Sequence, residues 1–484
     1  MMAFTLPSHQ VLSWIPVVLI ALYAVKIFRR ACFGPLRRVP GPWATLFSSL
    51  PLRFQAIKAR KVFWVHELHQ KYGPVVRISP TEIDVADTEA FSDIHKIGSP
   101  FLKSPWYVTF RGEVNCFTSS DPKIHGRKRK TLARPFSKTS LRGHWEAMVV
   151  DLAKQTVTKI KEEATQGTAD LLKWWTFFAT DVTGEVAFGE AFGLVESGQK
   201  PKFILDLEGV NRARALRAEV APLYNVVKTC TFGYFDPLGK ADQNIERMSF
   251  EIMRNARFRD LHKANIISGV LNETDPEDRF SEREAVLEAI MLVVAGSGTT
   301  AITLTYLCWA VMFNPAYQKR LEEEVASIGQ DLGDAQLEAL PFLDAVVRET
   351  LRLYGAAPGG LPRTSPNGGC HLAGYYIPEG LTINTQAFSL HRDPLSYHDP
   401  FEFRPERYLD GKMDSHAVFA PFGSGSRTCL GIHLAYMELR LAAATFFREC
   451  AGVKLADVTT PESMEIVQYF LIAPKAQRCL VTLR

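Results

Sequence analysis

Phe422-Gly423-Ser424-Gly425-Ser426-Arg427-Thr428-Cys429-Leu430-Gly431 decides how this chain folds and what it holds. A lone cysteine follows a turn rich in glycine and serine and directly precedes an apolar helical run at 430–449. Its sulfur therefore stands near a helix N-terminus, where unpaired amide donors and the positive dipole end favour a thiolate. Glycines let the backbone approach a bulky partner that side chains would hold off. Arg427 adds a fixed cation two residues away. The same residues also suit a buried structural cysteine in a Gly/Ser turn, and the turn alone does not choose between the two.

Working outward, Glu349-Thr350-Leu351-Arg352 puts a carboxylate and a guanidinium at i,i+3 on one helix face. As an isolated pair that is a common solvated arrangement, worth about 0.3 kcal/mol. Pro405-Glu406-Arg407-Tyr408 supplies another arginine in a loop. Further upstream, Ala295-Gly296-Ser297-Gly298-Thr299-Thr300 lies inside a long helical run, 282–313. Each interior glycine costs that helix about 1 kcal/mol relative to alanine. A local rule broken inside a strong helix signals either a groove for something pressing on it or close helix packing.

The rest of the chain bounds the class. Of 484 residues, 46% are hydrophobic and 22% charged, ordinary values for a globular protein. Disordered, collagen-like and polytopic membrane chains are excluded. Residues 1–66 hold nine Lys or Arg and no Asp or Glu, which leaves 47 basic against 52 acidic residues in the remainder. A body with that net negative balance is a poor nucleic-acid binder. Helical periodicity covers 146–163, 170–189, 282–313, 316–328, 341–354 and 430–449. Val75–Ser79 with Glu82–Ala86 suggests a hairpin, and Tyr375–Pro378 and Leu381–Gln386 suggest short strands. The fold class is mainly α with a smaller β-rich portion (α+β) drawn from both ends.

Val11–Phe28 is apolar up to Lys26 and 18 residues long, near the lower limit for crossing a bilayer core of about 30 Å. Arg29, Arg30, Arg37 and Arg38 follow it, which places the body on the cytosolic side. A cleaved secretory signal would want its charges before the apolar run. The expected division is a lumenal 1–10, a transmembrane anchor 11–28, a basic, proline-rich linker 29–45 and a cytosolic catalytic domain 46–484. Val39-Pro40-Gly41-Pro42 reads as a stiff elbow in that linker. The eight scattered cysteines show no disulfide-like spacing. Ala289–Pro315 is uncharged for 27 residues, but its hydroxyl load and flanking charges read as a buried central helix.

Together these residues resemble the cytochrome P-450 superfamily of haem-thiolate enzymes, and most closely the membrane-anchored microsomal type found in fungal secondary metabolism. The family pattern F-x-x-G-x-R-x-C-x-G is met by Phe422, Gly425, Arg427, Cys429 and Gly431. E-x-x-R is met by Glu349 and Arg352, and the arginine that completes their buried network by Arg407. The resemblance spans essentially the whole chain in order and spacing. It implies the cytochrome P-450 fold, with an N-terminal transmembrane helix in the endoplasmic reticulum membrane. It also implies haem b, with Cys429 as the axial thiolate ligand of its iron. His125, Arg129, Arg363 and Arg427 would hold the haem propionates, and Phe422 would belong to the same site. Gly296 and Gly298 would form an oxygen groove. The Thr299 hydroxyl would hydrogen-bond dioxygen and help relay protons. The family commonly carries an acidic residue immediately before that threonine; this chain has Gly298.

Only 55 residues follow Cys429, too few for a flavin domain. By resemblance the electrons come from NADPH through a membrane-bound NADPH–cytochrome P-450 reductase, with cytochrome b5 as an accessory donor. Lys412, Arg427 and Arg440 would meet the reductase. The 99–118 loop, Val293–Gly296, Ala356–Leu361 and the Tyr469–Ile472 turn would line an apolar pocket for a lipophilic small molecule. Three functions fit: a monooxygenase, a haem-thiolate enzyme that couples, cyclises, desaturates or isomerises without inserting oxygen, and a non-catalytic haem sensor.

Overall fold

The apolar run at 289–315 forms the middle of a 32-residue helix in the computed structural model of the chain. That structure describes residues 9–111, 114–200, 265–329, 333–409 and 417–483, with Lys202, Leu205, 217–219, 229–230 and Arg247. The principal helices are α1 (His9–Phe33), α2 (Lys61–Tyr72), α3 (Thr88–His95), α4 (Trp106–Arg111), α5 (Pro122–Ala133), α6 (Glu146–Gln166), α7 (Leu171–Phe188), α8 (Glu282–Phe313), α9 (Pro315–Ala326), α10 (Pro341–Tyr354) and α11 (Ile432–Glu449). All six helices expected from periodicity are present, within a few residues of the expected ends.

Helix α8 begins at a capping box in which Ser281 and Glu284 satisfy each other's backbone amides. Among the described residues it is the helix long and apolar enough to cross a membrane. Its packing assigns it to the core instead: α7, α10 and α11 lie against it, and Leu304, Tyr306, Leu307 and Val311 are fully buried. Trp175 and Phe178 of α7 and Phe446 of α11 form an edge-to-face aromatic chain in the same core. Edge-to-face geometry aligns the ring edges with neighbouring π faces, about 1 kcal/mol per pair beyond area burial.

The β-rich portion does come from both ends. β1 (Val75–Ser79) and β2 (Glu82–Val85) pair antiparallel as expected. β2 then pairs in parallel with β8 (Thr382–Asn384), β8 antiparallel with β5 (Arg363–Thr364), and β5 antiparallel with β3 (Leu102–Lys103). The two strands flanking Glu379-Gly380 therefore join different sheets. The first of them, β7 (Tyr375–Ile377), pairs with β6 (Cys370–Leu372), leaving β8 to the main sheet. A small sheet joins β4 (Ala169–Asp170), β12 (Leu480–Thr482) and β9 (Lys454–Leu455). β10 (Ile466–Gln468) and β11 (Ile472–Pro474) form a hairpin whose turn, Tyr469–Leu471, reaches the site below.

The expected elbow is fixed from outside. Arg77 on β1 is buried and donates to the carbonyls of Leu36, Val39, Gly41 and Pro42 at 2.9, 2.5, 3.2 and 3.1 Å. Prolines remove amide donors from this stretch, so its carbonyls need a donor from elsewhere, and one guanidinium supplies four. Helix α1 runs on past Phe28 to Phe33. All eight cysteines are free, in keeping with their scattered spacing.

Candidate functional site

Cys429 sits where the turn meets α11. Its amide donates to the Phe422 carbonyl at 2.8 Å, closing the loop on itself. The loop's sharpest backbone need is at Gly425, with φ +63: a Cβ there would lie 1.7 Å from the His95 carbonyl oxygen at the end of α3. That glycine thus serves the approach of the loop to α3. The Cys429 side chain keeps accessible surface, yet protein around it desolvates the thiol and raises its pKa. The Gly431 amide and Arg129 act in the opposite direction, as expected near a helix N-terminus, but burial dominates. A group that is both accessible and desolvated belongs to the wall of an internal cleft.

Around this cysteine the structure gathers cations. Arg129 of α5 donates to the Thr428 carbonyl at 2.7 Å, and Arg427 donates to the Ser119 carbonyl at 2.7 Å. Arg363 of β5 is buried, 3.4 Å from His95 Nδ1 and 3.5 Å from the Tyr107 hydroxyl. The guanidinium donates to Nδ1, so the His95 proton is on Nε2 and goes to the Thr385 hydroxyl at 2.7 Å. Lys103 joins them, a residue no sequence pattern marks. It is 7% exposed, donates to the Phe117 carbonyl and lies 4.2 Å from the Tyr107 and Phe117 ring centres. β3 and β5 place Lys103 directly opposite Arg363. Like charges opposite each other across a ladder are destabilising, more so when buried. Burial, then Arg363 and Arg427, pull the Lys103 pKa well down; burial, then Arg363, lowers Arg427 to about 10. His125 is pushed down to about 3 by burial and the Arg427, Arg129, Lys103 and Arg363 charges, so its imidazole is neutral.

Among the described residues, no carboxylate lies within ion-pair distance of Arg129, Arg363, Arg427 or Lys103. Arg129, Arg363, Arg427 and Lys103 act on one another, Arg129 acts on the Cys429 thiol as well, and none has a carboxylate partner among the described residues, which is a donor set that an acidic, metal-bearing cofactor would use. A haem fits it: its two propionates would pair with cations of this set, and the Cys429 sulfur would ligate its iron. The rest of 125–130 is divided by face. Arg127 pairs with Glu284, Lys128 lies 3.2 and 3.1 Å from Glu284 and Glu288, and Lys130 lies 2.5 Å from Asp278. The run is therefore a clamp between α8 and the cysteine loop, and only part of it faces solvent.

The i,i+3 pair is buried: Glu349 and Arg352 side chains are both 0% exposed. Arg352 meets Glu349 through two bonds of 2.8 Å, and Arg407 meets Glu349 at 3.0 Å. Remaining Arg352 donors reach the carbonyls of His391, Pro400 and Glu402 at 2.7, 2.6 and 3.0 Å. His391 carries the network to the cysteine loop. Its Nδ1 donates to the Arg352 carbonyl at 3.0 Å, and its Nε2 accepts the Ala420 amide at 2.9 Å, two residues before Phe422. Phe422 itself packs its ring 5.4 Å from Tyr436 of α11.

On α8, Ala295 is exposed in mid-helix, and the Thr299 hydroxyl donates to its carbonyl at 2.5 Å. The groove assigned to Gly296 is corrected by its packing. A Cβ there would lie 2.4 Å from Thr183 Oγ1 of α7, so this glycine lets two helices close. Gly298 faces Leu471, whose Cδ1 would stand 3.2 Å from a Cβ at 298. The pocket side holds an aromatic group: Trp106 stacks on Phe110 at 5.1 Å, and Phe470 lies 4.8 Å from Phe110 and 6.3 Å from Phe117. Of the three cations expected to face a reductase, Arg440 is 4% exposed and bound to Asp334 at 2.8 and 2.5 Å. An internal ion pair holds it, so it offers no docking charge. Arg427 is turned inward to Ser119, and Lys412 lies outside the described residues.

The model of the cytochrome P-450 family matches residues 39–480. The chain belongs to the cytochrome P-450 family. It is 41% identical over 470 residues to the cytochrome P-450 monooxygenase stcB of Emericella nidulans, covering 95% of this chain and 90% of that protein. Cytochrome P-450 monooxygenase aflV of Aspergillus parasiticus is 39% identical, covering 95% and 93%, and tazI of Aspergillus terreus is 39% identical, covering 96% and 97%. This P-450 is thus a monooxygenase by family, with haem implied as its cofactor, and the non-catalytic sensor reading falls away.

Proposed function

We propose that this P-450 oxygenates a lipophilic small molecule in fungal secondary metabolism, using O2 and electrons that NADPH supplies through a separate membrane-bound reductase, with cytochrome b5 as an accessory donor. The observation that carries the site assignment is the coupled set of four basic side chains that has no carboxylate partner among the described residues and reaches the Cys429 loop through Arg129 and Arg427. Cys429 would ligate the haem iron, and Arg129, Arg363, Arg427 and Lys103, with neutral His125 as a hydrogen-bonding partner, would hold the propionates. Bound there, the haem would supply oxygen activation and transfer, driven by the thiolate ligand.

The chain's own residues do the rest. The Cys429–Phe422 backbone bond and the Arg129–Thr428 bond fix the sulfur's direction. Thr299 gives its proton to the Ala295 carbonyl, so its oxygen lone pairs are free to accept a proton donor on the cleft side. Rotation of that hydroxyl would then pass a proton on. Trp106, Phe110, Phe117 and Phe470 make the cleft dry and apolar, which suits a lipophilic substrate.

The membrane anchor belongs to the same proposal. Val17, Val18, Leu19, Ile20, Leu22, Tyr23, Val25 and Phe28 of α1 are each more than half exposed, an arrangement unfavourable in water and suited to lipid. Exposed Phe33 and Trp43 continue the apolar surface past the basic residues. Carbonate-washed microsomes should retain the full-length chain; recovery in the supernatant would refute anchoring.

One observation favours a second reading. Gly298 offers no protic side chain beside Thr299, and Leu471 covers it, so oxidative coupling, ring closure, desaturation or isomerisation without oxygen insertion also fits the site. Turnover under labelled dioxygen separates the two readings. Label in the product supports the monooxygenase; O2 consumption with unlabelled product supports the second.

A further inference from the structure

Glu288 is a buried carboxylate on α8, and the site described above makes no use of it. Both of its oxygens accept the Cys116 amide, at 2.9 and 3.1 Å. Its counter-charge is the equally buried Lys128 of α5, whose ammonium stands 3.1 Å away without an aligned hydrogen bond. The directional bonding of Glu288 therefore goes to the backbone at 116, while Lys128 supplies the charge balance that a buried carboxylate needs.

Cys116 belongs to a turn that closes on itself. Asn115 Oδ1 accepts the Phe117 and Thr118 amides, both at 3.0 Å, and the Thr118 hydroxyl accepts the Asn115 amide at 2.9 Å. The Ser119 amide donates to the Asn115 carbonyl at 2.9 Å. Asn115, Thr118 and Ser119 are all buried. A turn whose amides are satisfied in this way still has carbonyls to offer, and two of them meet the cation set. Phe117 accepts Lys103, and Ser119 accepts Arg427 at 2.7 Å. The 115–119 turn is thus a bracket: Glu288 fixes it to α8 on one side, and on the other it holds two of the four cations.

We infer that Glu288 is a positioning residue for the cofactor site: by fixing the Cys116 amide it sets where the 115–119 turn holds Lys103 and Arg427, and so how firmly the haem is retained. The inference rests on the haem-site reading above and deepens it. Glu288 pairs with Lys128, so its effect on the two cations passes through the turn, as a support behind the groups that meet the cofactor.

Removing one member of a buried ion pair strands the other charge, whereas replacing both is close to neutral for folding. Lys128→Met is therefore the common background, in purified full-length holoenzyme. There Glu288→Gln keeps an acceptor for the Cys116 amide, and Glu288→Leu removes it. Haem transfer to a scavenging globin should be about tenfold faster from the Glu288→Leu protein than from the Glu288→Gln protein, the scale of a lost support behind a cofactor ligand. Adding Lys103→Met to each should shrink that ratio to less than about threefold, because the turn then has one cation fewer to place. No acceleration with Lys103 present, or the same ratio with and without it, overturns the inference. Denaturant midpoints of the same four proteins read the link without the iron. The cost of Glu288→Leu relative to Glu288→Gln should be smaller in the Lys103→Met pair; equal costs also overturn the inference. A wild-type protein with no thiolate-type spectrum would fail the haem-site reading, while these midpoints would still decide whether Glu288 acts on Lys103.

Discussion

Two buried charge clusters stand on either side of the cysteine loop, and they are built on opposite terms. Around Glu349 the charges close on themselves: Arg352 and Arg407 share one carboxylate, and leftover donors end on backbone carbonyls. Around Arg363 the cations have no carboxylate within ion-pair distance among the described residues, and Lys103 faces Arg363 across a strand pair. A closed cluster fixes the chain path, here from α10 through His391 to Ala420 and the loop that carries Cys429. An open cluster is costly until an anion arrives. The first belongs to the architecture and the second to the cofactor.

The sharpest way to break that contrast is to cut the closed cluster. Arg352→Ala leaves the Glu349 carboxylate short of its main partner in a fully buried place and should cost about 3–5 kcal/mol. Protein with neither native near-ultraviolet dichroism nor haem is the expected result. A cooperatively folded variant of near-wild-type thermal midpoint would show that the network is dispensable.

Cutting the open cluster should behave differently. Arg363→Leu removes one of several mutually repelling cations, so the stability of the apo-protein should stay level or rise. Haem transfer to a scavenging globin should accelerate roughly thirtyfold, corresponding to about 2 kcal/mol for a lost buried charge partner. Equal losses of apo-protein stability and haem retention would mean that this cluster, too, is mainly structural. Lys103→Met should show the same pattern more weakly.

A smaller effect comes from the imidazoles. Burial holds His391 near 3 and His66 near 4, below the ordinary value of 6.5. The unfolded chain takes up these protons first as pH falls below 6.5, so the native state should lose stability between pH 6.5 and 5. The slope should be on the order of 1 kcal/mol per pH unit for each group. Denaturant midpoints measured across that window check it. His391→Gln should flatten the slope, and an unchanged slope would contradict a neutral His391.

Legibility followed the same division. The cysteine loop, the i,i+3 pair and the long central helix could be read because each is local, carried by a few residues at fixed spacing. Periodicity likewise found α6 to α11 within a few residues. What it could not give was burial: Glu349-x-x-Arg352 looks the same on a surface. Lys103, His95 and His391 escaped notice because strand pairing and loop crossing bring them in from far along the chain. Gly296 and Gly298 show the limit most clearly. Two positions apart in sequence and identical in type, they serve different neighbours, Thr183 on α7 and Leu471 on the β10–β11 turn. Arg440 looked like a surface cation until Asp334, 106 positions away, was found beside it.

The assignment of the open cluster depends on Cys429, whose loop Arg129 reaches through the Thr428 carbonyl. Purified full-length protein, reduced and exposed to carbon monoxide, should show the strongly red-shifted Soret band of iron bound to a cysteine thiolate. Cys429→Ala should abolish that band while leaving the far-ultraviolet dichroism of the helical body intact. A folded, haem-loaded wild type without the band, or a Cys429→Ala variant that keeps it, would contradict the account.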